Sequence, residues 1–292
     1  MTRQIKNIIA ITAFLICIGL INFAGQNIDI QIRGINAFTF ILIVAVLLQI
    51  IFFIPSFLLK TEKYYDLVGS LTYVTTVSLA YFAVENKTMI DSIIYFYVMV
   101  WASRLGIYLF RRVRNDGKDV RFEKAKRHFF WFLQYWMGQA LWVTLTACAA
   151  IIAILSPEDD TLPVLAIFGM ALWLSGFTIE SISDYQKRAF RKENNPSESF
   201  IHTGLWARSR HPNYFGEVTL WTGIAVIALN TLTGIEYITL ISPVFVYILL
   251  TRMSGVNLLE RIADERYGHL EEYQLYKRNT PVLFPKLSKD KI

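Results

Sequence analysis

The feature that most limits what this chain can fold into is a succession of apolar stretches, each close to twenty residues long. They fall at roughly 7–24, 38–59, 67–84, 90–110, 130–155, 162–182, 214–232 and 236–252. A helix needs about 20 apolar residues to cross ~30 Å of hydrocarbon. Inside a bilayer no water pairs with exposed N–H and C=O groups, so a spanning segment must satisfy its own backbone, and helices do this most economically. With 54% hydrophobic and only 18% charged residues among 292, the composition excludes an ordinary soluble domain. The expected fold is an all-α, polytopic transmembrane helix bundle of seven or eight spans with cytoplasmic cofactor-side loops.

The placement of charge orients such a bundle, because loops on the cytoplasmic side carry the excess of Lys and Arg. The stretch 111–128 holds Arg111, Arg112, Arg114, Lys118, Arg121, Lys124, Lys126 and Arg127, whereas the loop after the fifth span reads Glu158-Asp159-Asp160. With eight spans every basic loop and both termini fall on one face, which is then the cytoplasmic one. The net charge of +6 belongs to these loops, and no nucleic-acid motif accompanies it. Cys17 and Cys148 sit in apolar stretches without metal or disulfide spacing and read as small hydrophobes. The first apolar run lacks a clear small-residue cleavage site and reads as a retained span. No internal repeat or long linker appears, so residues 1–292 read as one integral domain, with N-terminal spans in 1–60 and a core carrying the sites in 61–292.

Four groups of polar residues interrupt the apolar segments. Glu180, Asp184, Arg188 and Arg191 are spaced four, four and three apart and share one helix face. Two acids inside an apolar span are costly unless they pair or face a polar cavity, and an ion-pair ladder at the helix end is the plainer alternative. The run Gly204-Leu-Trp-Ala-Arg-Ser-Arg210-His211-Pro212-Asn213-Tyr-Phe-Gly-Glu217 places Pro212 to open a helix. Asn213 and Glu217 then lie one turn apart and offer an amide and a carboxylate, the donor and acceptor that a carboxamide such as that of nicotinamide needs. A simple polar cap does not call for Glu217. On the fourth span Tyr97, Trp101, Arg104, Tyr108 and Arg111 or Arg112 form a stripe. The fork of Arg104, with Arg114, Lys118 and Arg121 beyond, suits phosphate, although positive-inside anchoring accounts for most of the loop lysines. Finally, Tyr64-Tyr65-Asp66 opens the third span with Tyr73 two turns on. Tyr65 and a protonated Asp66 suit a substrate carbonyl, and an interfacial tyrosine belt is the alternative. His211 reads as a hydrogen-bonding or phosphate-facing residue, and His128, His202, His211 and His269 lack zinc spacing, so no metal is expected.

The 204–217 run, the Glu180 and Asp184 pair, and the tail Ser254-Gly-Val-Asn-Leu-Leu-Glu260 with Tyr273-Gln-Leu-Tyr-Lys-Arg-Asn-Thr-Pro281-Val-Leu-Phe-Pro285 resemble the steroid 5α-reductase family, and within it the bacterial DUF1295-like branch. The resemblance covers about the C-terminal two thirds. It implies NADPH held within the bundle and reduction of a carbon–carbon double bond conjugated to a ketone, as in 5α-reduction of a 3-oxo-Δ4-steroid. Asp184, Asn213 and Glu217 then lie at the nicotinamide, with Glu180 standing where the family has an amide. Arg104, Tyr108, Arg114 and Arg191 serve phosphates and ribose, and Tyr267 closes over the cofactor; Arg112, Arg188, Arg210 and His211 complete the candidate cofactor set. The family's ketone-binding glutamate and tyrosine are replaced by Asp66 and Trp101, so Tyr65, Tyr97 or Tyr73 stand in as proton donor.

The implied partners are a lipophilic, steroid-like ketone entering from the bilayer and membrane lipid. The protein is expected to act as a monomer in a bacterial inner membrane, with the cofactor side and C-terminus cytoplasmic. A rival resemblance links the Arg-His-Pro-x-Tyr-x-Gly run to S-adenosylmethionine-dependent methyltransferases of the isoprenylcysteine and phospholipid type. Those carry a paired glutamate after their last span, whereas here Glu260 stands between Leu259 and Arg261.

Overall fold

The computed structural model describes residues 2–116, 122–156, 162–195, 198–253 and 255–286, the side chains of 112–116 excepted. Helix α1 (Arg3–Ile21) leads through a 3-10 turn to a small hairpin of β1 (Gln31–Ile32) and β2 (Ile35–Asn36). Then follow α2 (Ala37–Leu58), α3 (Tyr65–Ala83), α4 (Met89–Asp116), α5 (Phe129–Leu155), α6 (Val164–Glu193), α7 (Pro212–Ala228), α8 (Ile241–Ile248), α9 (Val256–Tyr267) and α10 (Glu271–Asn279). The fold is an all-α membrane bundle. Among the described residues, six helical stretches are long and apolar enough to cross a membrane: Arg3–Gly25, Ala37–Leu58, Met89–Arg111, Phe129–Leu155, Val164–Glu193 and Gly234–Tyr267.

Two of the expected spans, α3 and α7, fall outside those six. The reason in α3 is visible in its inner face. Ser70, Thr72, Tyr73 and Thr76 are buried there, and Gln49 Nε2 on α2 donates to Thr72 Oγ1 at 2.8 Å. A helix that turns polar groups toward its neighbours loses hydropathy while keeping its place in a bundle. In α7 the limit is length, 17 residues.

The chain divides into two compact units, Met1–Ala166 with Ala225–Ser242 and Ile167–Ile224 with Pro243–Ile292. In the first, α5 is the axis. It packs against α1, α2, α3 and α4, and 83% of its most apolar window is buried. Close approach to α3 depends on Gly69, where an added Cβ would lie 2.6 Å from Gln139 Nε2. The antiparallel α3 and α4 meet where Gly106 faces Ser70, with Tyr73 edge-on to Trp101 at 5.0 Å and Tyr64 stacked on Phe110 at 6.4 Å.

The second unit is organised by contact between α6 and the first turns of α7. A Cβ at Gly216 would lie 2.6 Å from both Glu180 N and Gly176 O, and one at Gly223 would lie 2.6 Å from Gly169 O and Trp173 N. Glycines thus let the two backbones touch, the geometry by which helices associate without a hydrophobic driving force. Around this pair the tail is tied down by backbone hydrogen bonds. Arg210 N donates to Pro281 O at 2.9 Å, His211 N to Val282 O at 3.1 Å and Lys286 N to Arg208 O at 3.0 Å.

Candidate functional site

Because α6 and α7 meet backbone to backbone, the side chains flanking their glycines are forced together. Glu180 is 2% exposed, Asp184 5% and Glu217 6%, three buried acids on the two helices. Asn213 Nδ2 donates to Asp184 Oδ1 at 3.4 Å, while Asn213 Oδ1 is buried without a partner. A buried acceptor with no donor carries a desolvation cost of ~1–3 kcal/mol, which a ligand donor would relieve. As expected, Pro212 opens α7. The shared face of α6 also exists, but it divides by depth: Glu180 and Asp184 are inside, whereas Arg188 is exposed.

A cavity of about 170 Å³ lies in the same unit. Four residues singled out from the sequence line it, Arg191, Arg210, His211 and Tyr267. Lys187 and Arg266 bring the lining cations to four, against Glu260 as the lining acid. The aromatic wall is built around Phe200, whose ring lies 5.8 Å from Tyr267, 5.2 Å from Tyr273 and 5.4 Å from Tyr276. Tyr276 OH donates to Trp206 O at 2.7 Å and Trp206 Nε1 to Ser183 O at 3.1 Å, so α10, the 204–207 turn and α6 form one frame. Burial pushes the Tyr273 and Tyr276 hydroxyls well above the usual phenol range, so both stay protonated.

Glu260 lies at the centre of the charged side of this cavity. Its Oε2 accepts from Arg210 Nη1 at 2.7 Å and its Oε1 pairs with His211 Nε2 at 2.9 Å. Burial holds the His211 imidazole below its ordinary pKa against the opposing pull of Glu260. Arg210 Nε and His211 Nδ1 are both buried without a partner. Sequence reasoning missed Glu260, Lys187, Arg266, Tyr273 and Tyr276 as cavity residues. His211 and Glu260 are 49 positions apart, which leaves no spacing signal, and the tail tyrosines stood only within a longer motif.

The remaining candidates belong to the first unit. Tyr65 is buried, and its hydroxyl donates to Tyr135 O at 2.9 Å with the ring against Phe122 and Trp136. The hydroxyl proton of Tyr65 is thus engaged by the backbone carbonyl of Tyr135 in this structure. Trp101 is buried and level with Tyr73. Asp66 lies seven residues before Tyr73, about 10 Å along the axis at 1.5 Å per residue, toward the level of Tyr108 and Phe110. Asp66 and Trp101 thus do not share a level. Tyr97 and Arg104 lie half-buried on α4, as does Tyr108. The side chains of Arg112 and Arg114, with Lys118 and Arg121, lie outside the described residues. Among the described residues, no three His, Cys, Asp or Glu side chains gather as a metal set.

Residues 52–280 match the family model described as "Protein of unknown function (DUF1295)". The chain belongs to the DUF1295 family. Among curated proteins, this DUF1295 chain is similar to "3-oxo-5-alpha-steroid 4-dehydrogenase 1" of Mus musculus, 30% identical over 117 residues, 40% of each chain. The Rattus norvegicus protein of that name is likewise 30% identical over 117 residues, 40% of each chain. The Macaca fascicularis protein is 25% identical over 119 residues, 41% of this chain and 40% of the relative. The DUF1295 chain thus matches about two fifths of the length of these curated relatives. No solved structure matches it.

Proposed function

We propose that this DUF1295 protein is an NADPH-dependent membrane reductase of a carbon–carbon double bond conjugated to a ketone in a lipophilic, steroid-like substrate. The whole chain 1–292 would act as a single integral reductase domain, a monomer in a bacterial inner membrane with the cofactor side and C-terminus cytoplasmic. The observation that carries the reading is the polar content of the second unit. Helices α6 and α7 bury Glu180, Asp184 and Glu217, and Asn213 donates to Asp184. The neighbouring cavity joins four cations to an aromatic wall. The relatives named 3-oxo-5-alpha-steroid 4-dehydrogenase add weight over two fifths of the chain.

The residues present fit a reduced dinucleotide. Asn213 Oδ1 and the Glu217 carboxylate are acceptors for the NH₂ of a carboxamide, and Asn213 Nδ2, now on Asp184, is a donor for its oxygen. At 170 Å³ the cavity is below the roughly 300–1,000 Å³ of a whole drug-sized ligand, so it suits one part of a dinucleotide. The four cations favour an anionic part, and the tyrosine wall offers a face to a flat ring. NADPH supplies the hydride when bound. The chain's own part in the step is to hold the carboxamide from α6 and α7, to exclude water, and to place a donor at the ketone oxygen as negative charge develops there. Asp66, Tyr97 and Trp101 are the candidates for that donor, and Arg104, Tyr108, Arg112 and Arg114 for further phosphate contacts.

The test is incubation of the purified protein in detergent with NADPH and a 3-oxo-Δ4-steroid. Steroid-dependent oxidation of NADPH, with a saturated ketone as product, is the expected result. Methyl transfer from S-adenosylmethionine to a lipid acceptor, without any NADPH oxidation, would contradict it.

A further inference from the structure

The hydrogen-bond polarity of the cavity follows from one carboxylate. An ionised Glu260 has only acceptors, so the ring nitrogen of His211 that meets Oε1 at 2.9 Å must carry a hydrogen. Burial keeps the ring neutral near pH 7, and a neutral imidazole has one N–H, so the other nitrogen, Nδ1, holds a lone pair. That nitrogen is buried and has no donor. The same carboxylate takes Arg210 Nη1 at 2.7 Å, which fixes the guanidinium plane and leaves Arg210 Nε–H as a buried donor with no acceptor. Backbone bonds from Arg210 and His211 to the 281–282 tail hold the pair from the other side. Adjacent residues therefore hold one unmet acceptor and one unmet charged donor just behind the cavity wall that Arg210 and His211 help to form.

We propose that Glu260 is a positioning residue: it fixes His211 as the Nε2–H tautomer, so that Nδ1 accepts from a sugar hydroxyl of the bound nucleotide while Arg210 Nε–H binds an adjacent anionic oxygen. The inference rests on reading the cavity as a nucleotide site. It names the ligand chemistry as a hydroxyl beside a phosphate. A plain anion would leave the Nδ1 lone pair unsatisfied, and a metal would need ligands that the cationic lining does not supply.

The test uses full-length protein labelled with ¹⁵N-histidine, its four histidines assigned with His211→Gln. Wild-type His211 should show a protonated Nε2 and a bare Nδ1, and NADPH should move the Nδ1 resonance toward the hydrogen-bonded range. In Glu260→Gln the tautomer should become mixed and the NADPH Kd should rise about tenfold, as for loss of a hydrogen bond to a charged group; Glu260→Asp should recover part of that loss. A staple that only stabilises the fold would lower the unliganded melting temperature without changing the tautomer. Protonated Nδ1 in the wild type overturns the proposal even if Glu260→Gln does not fold. Equal NADPH affinity in wild type and Glu260→Gln overturns the positioning role. A wild type that NADPH fails to stabilise overturns the nucleotide reading itself.

Discussion

Asn213 shows how a buried side chain can be recognised by what it lacks. Asn213 Oδ1 is buried with no donor, and Glu217, 6% exposed, follows one turn along α7; both are proposed to serve the nicotinamide. Asn213→Ala and Glu217→Gln should each weaken NADPH binding about tenfold by calorimetry, at the scale of a hydrogen bond to a charged group. Binding at wild-type affinity with intact folding would remove them from the site. His211 makes a prediction about pH. Its folded pKa is lowered by burial, so below the unfolded value of about 6.5 the unfolded chain binds more protons than the folded one and stability falls with pH. Glu260, Arg210 and Lys187 are the charged groups that act on it. The unliganded melting temperature should decline as pH drops from 7 toward 5.5, and His211→Gln should flatten that decline; identical profiles would show that the ring does not titrate in folding. The identities of Arg210, His211, Asn213 and Glu217 were legible because they cluster in one short run. The Glu260 clamp was not, because it joins residues that the chain brings together only through the tail.

Among the elements, α6 and α7 carry most of the account. Their contact depends on Gly216 and Gly223 meeting the α6 backbone around Gly176 and Gly169. Gly216→Ala would set a Cβ 2.6 Å from Glu180 N and Gly176 O, an overpacking that costs ~1–3 kcal/mol. It should lower the melting temperature and abolish stabilisation by NADPH together. Gly19→Ala is the control: a Cβ there meets nothing within 4 Å, so helix propensity alone should make it neutral or stabilising by up to ~1 kcal/mol. Loss of stability in both variants alike would deny the α6–α7 contact any special weight. Helices α6 and α7 themselves were readable from apolar length, and Pro212 marked the start of the second. Their contact also had a signal, glycines seven apart at 169 and 176 and again at 216 and 223, which hydropathy windows pass over. In α3 the same windows are misleading for the opposite reason, since Thr72, Thr76 and Ser70 face inward.

At the scale of the whole molecule, apolar block length made the all-α bundle legible, because a bilayer permits few alternatives. The two compact units were not legible: residues 225–242 belong with the first and 243–292 with the second, a division that cuts through α7 and α8 without any change of composition. Nor was the position of the cavity, whose lining draws on α6, the 199–211 segment, α9 and α10. The central claim is that this second unit clasps a reduced, phosphorylated dinucleotide, and ligand-dependent melting of the purified protein tests it most directly. A ligand at 100 times its Kd that binds only the folded state adds about 2.7 kcal/mol. NADPH should raise the melting temperature by several degrees, NADH by less, and S-adenosylmethionine not at all; stabilisation by S-adenosylmethionine alone would contradict the account.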